Sequence, residues 1–302
     1  MRVSSSLPPR RRSEASAVPP PAPPLRPPVA DPVPSLPRPL RTTGHELSGL
    51  AAIAQRDLTK LARDPLRLAV SLAFPVMLIA GLGYVLQPTV GKATGLNELE
   101  VAFTGVLAAT MFQSAAAGMI SVVEDRENDF ARELFVTPVS RLTLVSGKVF
   151  GETLVALVQG LFIVVFALAF GLNAGARQIA VLIAPSIACG LLGASFGLAT
   201  MAALPNQRSA MQIFQFLIIP QYVLGGVLVP VHGLPAPLEA LAWAMPLTYG
   251  VDLTRSVFYQ GKPAYGAAVS LSPQWAIVIM AAMFAVFVVT GAVVFNYRER
   301  HR

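Results

Sequence analysis

The chain has 302 residues, 54% of them hydrophobic and only 13% charged, with a formal net charge of +7. Soluble domains carry about 25% charged residues, so the composition excludes an ordinary water-soluble enzyme or binding module and points to a chain that uses lipid as its solvent. The single cysteine, Cys189, excludes a disulfide framework and a cysteine-based metal site and reads as a small buried apolar residue.

The first 42 residues are a proline-rich tail, "PPPAPPLRPPVADPVPSLPRP" at its densest. Proline at that density prevents helix and sheet, so a disordered, polyproline-like segment is expected. Arg10, Arg11 and Arg12 look like the start of a signal peptide, but no apolar run follows them, so none is expected. A solvated tail that touches anionic lipid is favoured over an SH3-type ligand at Pro24–Pro27.

Residues 43–64 predict an amphipathic helix that lies flat on the membrane. Thr43 and Glu46 have capping-box spacing. Leu47, Leu50, Ala51, Ala54, Leu58, Leu61 and Ala62 share one face, with Arg56, Asp57, Lys60, Arg63 and Asp64 off it or at its edge. Pro65 fits the end of the helix. A bilayer core of about 30 Å needs about 20 apolar residues. The spans expected are Leu66–Leu86, Ala102–Val123, Val149–Leu172, Ile179–Ala203, Ile213–Val231 and Trp275–Phe295. Pro75 and Pro185 are tolerated within them, because neighbouring helices re-satisfy the freed carbonyls. Residues 235–259, amphipathic and broken by prolines, predict short interfacial helices instead of a span.

Lysine and arginine placement sets the orientation. With the N-terminus inside, eleven basic residues before Leu68 join Arg126, Arg132, Arg141, Lys148, Arg208, Arg298, Arg300 and Arg302 on the cytoplasmic side. Only Lys92, Arg177, Arg255 and Lys262 fall outside. Both termini are therefore expected in the cytoplasm, and the basic balance is explained without nucleic acid.

One stretch between the second and third expected spans holds dense charge of both signs, "EDRENDFARELFVTPVSRLTLVSGK". Read as a helix, it gathers Phe130, Leu134 and Phe135 on one side, while Asp125, Arg126, Glu127, Asp129, Arg132 and Glu133 fill the rest; Pro138 breaks it. A half-buried loop on the headgroups accounts for the amphipathicity. Binding to anionic lipid favours Lys and Arg alone, so the mixed signs with apolar anchors also fit a protein partner.

This stretch resembles the cytoplasmic signature of the ABC-2 family of transporter permeases through Arg126, Glu127, Arg132, Glu133, Leu134, Val136, Thr137, Pro138, Val139, Ser140 and Arg141, departing from it at Asp129 and Phe130. A distant second stretch, "VLGGVLVPVHGLPAPLEALAWAMPLTYGVDLTRS", is similar to the family's re-entrant element through Gly226, Pro230, Leu234, Pro235, Leu238, Pro246, Leu247, Thr248 and Tyr249. The resemblance covers roughly residues 45–300. It implies an all-α polytopic protein: six spans, an N-terminal interfacial connecting helix, and an outer-face element over the exit path before the last span. It implies that Arg126, Glu127, Phe130, Arg132, Glu133, Leu134, Pro138 and Arg141 belong to a coupling segment docking on an ATPase subunit. Two ATPase copies and a second permease, identical or homologous, would complete the assembly. No P-loop is present: Gly91-Lys92, Gly147-Lys148 and Gly261-Lys262 lack the earlier glycine and the following Ser or Thr. ATP and magnesium are therefore expected on the partner ATPase, with no cofactor and no metal in this chain and no enzymatic activity of its own.

Gly193–Gly197, "GASFG", matches a nucleophile elbow. It sits in an expected span, and His45, His232 and His301 all lie outside the spans, so close helix packing is the better reading. The spans show almost no ionisable residues, which speaks against an ion-driven carrier. Gln113, Ser114, Gln159, Gln212 and Gln215 are their polar residues. Helix–helix hydrogen bonding is favoured for them, with Gln113, Ser114, Gln212 and Gln215 as candidate walls of a path for amphipathic cargo. The reading reached is the membrane permease of an exporter for drug-, antibiotic- or lipid-like substrates in the cytoplasmic membrane. An ion-gradient-driven carrier or a non-transporting membrane scaffold is the alternative.

Overall fold

A computed structural model of the chain describes residues 43–81, 96–127 and 141–300. The proline-rich tail lies outside these residues, as do Phe130, Arg132, Glu133, Leu134 and Pro138 of the charged stretch. All regular structure among the described residues is helical. In chain order the helices are α1 (Thr43–Arg63), α2 (Pro65–Gly81), α3 (Glu98–Gly118), α4 (Ile120–Glu127), α5 (Arg141–Ala169), α6 (Ala176–Val181), α7 (Ile183–Met201), α8 (Gln207–Leu224), α9 (Ala236–Trp243), α10 (Pro246–Phe258), α11 (Tyr265–Ala268) and α12 (Pro273–Arg300).

Four stretches among the described residues are long and apolar enough to cross a bilayer: Glu98–Glu124, Val145–Ala169, Ala176–Met201 and Tyr265–Val294. These correspond to four of the expected spans with shifted ends. A fifth arises if the pair Ala54–Arg63 and Leu68–Gly81, bent by 81°, is taken as one. That bend falls at Asp64-Pro65, where proline disfavours a helical residue before it.

The expected span Ile213–Val231 differs. The helix there is Gln207–Leu224, started by the Asn206 side chain, which accepts from the Ser209 N–H at 2.8 Å. It stops because Gly225 and Gly226 follow, and Gly226 turns the chain at φ +78°, a conformation open to glycine and costly for other residues. Val227 to Pro230 continue without helix.

α3 forms the centre of the bundle. It is apolar all round, as a helix surrounded by other helices must be, and Phe103, Val106, Met111 and Phe112 are each within 1% of full burial. α5 and α7 pack on its flanks, α10 crosses its outer half, α12 packs on α7, and α1 packs on α5. The contact of α7 with α3 depends on Gly193 and Gly197, since a Cβ on either would run into the backbone of Phe112 or Ala116. Ser195 is fully buried and donates to the Leu192 carbonyl at 2.8 Å. The "GASFG" stretch is thus helix-packing surface within a continuous helix, with no strand-to-helix turn.

Candidate functional site

In the sequence the charged stretch runs from the end of α4 to the start of α5. Arg126 and Glu127 close α4, and Arg141 opens α5. Two turns into α5, Lys148 is 5% exposed, and its Nζ donates to Asp57 Oδ2 of α1 at 2.9 Å and pairs with Glu152 Oε1 at 2.5 Å. Arg56 Nε lies 3.5 Å from Asp57 Oδ1. Gly118, at the end of α3, leaves room for Glu152, because a Cβ there would occupy the carboxylate's position. One buried cation and two buried carboxylates therefore join α1, α3 and α5 at the root of the charged stretch.

Composition and periodicity did not anticipate this group. Asp57 reads in the sequence as a residue off or at the edge of the apolar stripe, yet it is buried and packs with Ala54 over Gly151. The expectation of almost no ionisable residue in a span also needs correcting, since Lys148 and Glu152 both lie within the stretch Val145–Ala169. The signal available was their i, i+4 spacing in an otherwise apolar run, a spacing that puts both on one helix face.

The candidate path residues separate into two sets. Gln113 and Ser114 are half-buried on α3. Gln212 and Gln215 are exposed on α8, next to Phe216, Ile219 and Val223, which are 59–76% exposed. Among the described residues no hydrogen bond links the two pairs.

At the opposite end of the bundle lies the "MPLTY" element. Pro246 occupies the first turn of α10, where its missing N–H costs nothing. The Thr248 and Tyr249 hydroxyls donate to the Ala242 and Trp243 carbonyls at 2.6 and 2.7 Å, satisfying the orphan end of α9. The Leu247 N–H donates to Gln221 Oε1 at 3.3 Å, tying α10 to α8.

Residues 235–259 form short helices that are not among the spanning stretches, as expected, but α10 is buried on nearly every side instead of presenting a polar face. Its polar residues turn inward and are satisfied there. Asp252 accepts the Ser270 and Leu271 N–H groups at 2.8 Å each. Arg255, 2% exposed, donates to the Val227 carbonyl at 3.3 Å and lies 3.5 Å from the Val101 carbonyl. Lys262 pairs with Glu100 at 2.8 Å and sits 4.2 Å from the Phe258 ring centre. Burial holds the Asp252 carboxyl above its usual range, opposed by its two backbone N–H donors and Arg255. Burial pushes the Arg255 guanidinium down to about 10, against the pull of Tyr259, Asp252 and Glu98. Burial, with the Glu100 charge beside it, raises the Tyr259 hydroxyl.

Residues 49–259 match the sequence model of the ABC-2 type transporters. Among curated proteins, the chain is 22% identical over 213 residues to a protein of Cyanophora paradoxa named as a transport permease, ycf38, covering 69% of this chain and 73% of the relative. It is 27% identical over 197 residues to nodulation protein J of Rhizobium leguminosarum bv. viciae, covering 64% and 74%. It is 25% identical over 140 residues to an Escherichia coli K12 protein named as a multidrug ABC transporter permease, YbhR, covering 46% of this chain and 38% of that one.

Proposed function

The chain belongs to the ABC-2 type transporter family, and from that premise we propose that it is the permease of an exporter powered by a separate ATPase subunit. The observation that carries this reading is the match of residues 49–259 to the family, which takes in the charged stretch that follows α4 and precedes α5 in the sequence. Arg126, Glu127, Phe130, Arg132, Glu133, Leu134, Pro138 and Arg141 form the surface on which the ATPase docks: charges set the register and Phe130 and Leu134 anchor it. Two ATPase copies bind ATP and magnesium. Their closure pushes this surface, and α5, tied to α1 through Lys148 and Asp57, carries the push into the bundle.

Six spans are assigned to the chain: α2, α3 with α4, α5, α6 with α7, α8, and α12. Both termini are cytoplasmic, in the cytoplasmic membrane, and α1 lies along its inner surface as a connecting helix. The exposed amides Gln212 and Gln215 on α8 support a second permease copy or homologue, because an unpartnered amide facing hydrocarbon is costly. Those two residues, with Gln113 and Ser114, line the path between copies. An uncharged, amide-bearing wall suits drug-, antibiotic- or lipid-like cargo, in keeping with the relative named as a multidrug permease.

The test is co-expression with the cognate ATPase and replacement of Glu133 and Leu134 by Ala. Loss of complex and of cargo-stimulated ATP hydrolysis is the expected result; wild-type levels of both would sink the docking assignment. An ion-driven carrier is the alternative, and Lys148 and Glu152 within a span are the observation in its favour. Lys148 pairs with both Glu152 and Asp57, which suits a structural joint better than a proton relay. Transport that survives ATP depletion and collapses with the proton gradient would favour the carrier.

A further inference from the structure

The apolar stripe of α1 is not used up by the protein's own packing. The face of α1 turned to α5 is centred on Asp57 and Ala54, so Ala51 and Ala62 stay exposed and Leu58 half-buried. Together with Leu154 of α5 and Arg63 they line an open groove of about 680 Å³. The other lining residues, Gln55 and Thr59, are uncharged, and no carboxylate faces the groove. Its α5 wall continues into Phe150, Leu161 and Val165, all more than half exposed, which is the outer surface of a spanning helix. At the other end Arg63 is exposed and makes no ion pair among the described residues.

We propose that this groove holds one acyl chain of an anionic phospholipid, with Arg63 against the phosphate. The chain supplies the apolar filling that Ala51, Ala54, Leu58, Ala62 and Leu154 lack. Arg63, the one charged residue of the groove lining, selects the charge of the headgroup. The lipid then wedges α1 against α5 beside the Lys148–Asp57 pair. The inference rests on the reading that α1 lies at the membrane surface, and does not depend on what the protein transports.

Native mass spectrometry of the purified full chain, with dioleoyl phosphatidylglycerol and dioleoyl phosphatidylcholine as probes, tests it. The wild type should retain the anionic lipid in preference to the zwitterionic one. Arg63→Gln should weaken that retention about fivefold, the weight of one basic side chain near an anionic surface, and leave phosphatidylcholine unaffected. Ala62→Phe, which fills the groove, should lower retention of both lipids, and Ala51→Phe repeats the measurement at the other end in case one variant folds poorly. Lys60, exposed but not part of the groove lining, is the control. Equal retention of both lipids by the wild type would overturn the proposal. So would a Lys60→Gln loss equal to that of Arg63→Gln, which would mean a diffuse basic surface. Unchanged retention in both Phe variants, or exclusion of the lipid from a dimer that the monomer binds, would overturn it too. A failure of ATP-driven export would leave these measurements untouched, so the two readings fail separately.

Discussion

Lys148 has two carboxylate partners, and the consequences of losing either side differ. Lys148→Ala removes the buried cation that Asp57 and Glu152 share and should cost about 3–5 kcal/mol. Asp57→Asn leaves the Lys148–Glu152 pair intact and should cost about 1–3 kcal/mol for the weakened contact. Thermal melting of the purified variants in detergent should rank them in that order; equal melting points would show that the three charges are not coupled. Arg255 makes a different demand. Its contacts with the Val227 and Val101 carbonyls are both made by Nη2, at the tip of the guanidinium, beyond the reach of the shorter lysine side chain. Arg255→Lys should therefore melt well below the wild type although the charge is kept, and a wild-type melting curve would remove Arg255 from the frame. Neither group was legible in the sequence. Charge type and helical spacing are visible there, but whether an ionised side chain turns outward to water or inward to a partner is decided by helices 91 residues away in the case of Asp57 and Lys148.

Helices were the most legible level. Long apolar runs located four crossing stretches, three of them with both ends within about four residues and the last with its start at Tyr265 instead of Trp275, because a bilayer demands length and hydrophobicity and little else. The amphipathic period of residues 43–63 located α1, and Pro65 its end. Legibility failed at α8, where hydropathy averaged across Leu224 and Gly225 hides a turn made by two glycines. It failed again at α10, where Asp252 and Arg255 imitate the wet face of a surface helix. The small-residue pair in α7 was read as a packing surface from spacing alone, and it supports a sharp expectation. Gly193→Ala should destabilise by about 1–3 kcal/mol, since its Cβ meets the Phe112 backbone, which cannot rotate away. Gly175→Ala, with nothing within 4 Å of the new methyl, should melt within about 0.5 kcal/mol of the wild type. Matching losses at the two positions would mean that α3 and α7 do not touch as described.

At the scale of the whole molecule the two charge groups mark opposite ends of the bundle. The Lys148 group lies at the end that carries the charged stretch, and the Arg255 group lies over the start of α3. With cytoplasmic termini, Gln260, exposed beyond α10, faces outward, and Arg208, exposed at the start of α8, faces inward. A membrane-impermeant maleimide should label Gln260→Cys on intact cells and Arg208→Cys only after the membrane is opened. The native Cys189 is fully buried and should stay silent throughout. The reverse pattern would invert the topology. The Asp57–Lys148 pair also bears on the order in which the protein is made. Asp57 leaves the ribosome 91 residues before Lys148, so on the proposed topology α1 lies at the surface before α5 enters the bilayer. Lys148 can settle only where that acid stands, and α1 thereby acts as a depth gauge for insertion. On the proposed topology it fixes how many residues before Lys148 stay outside the lipid.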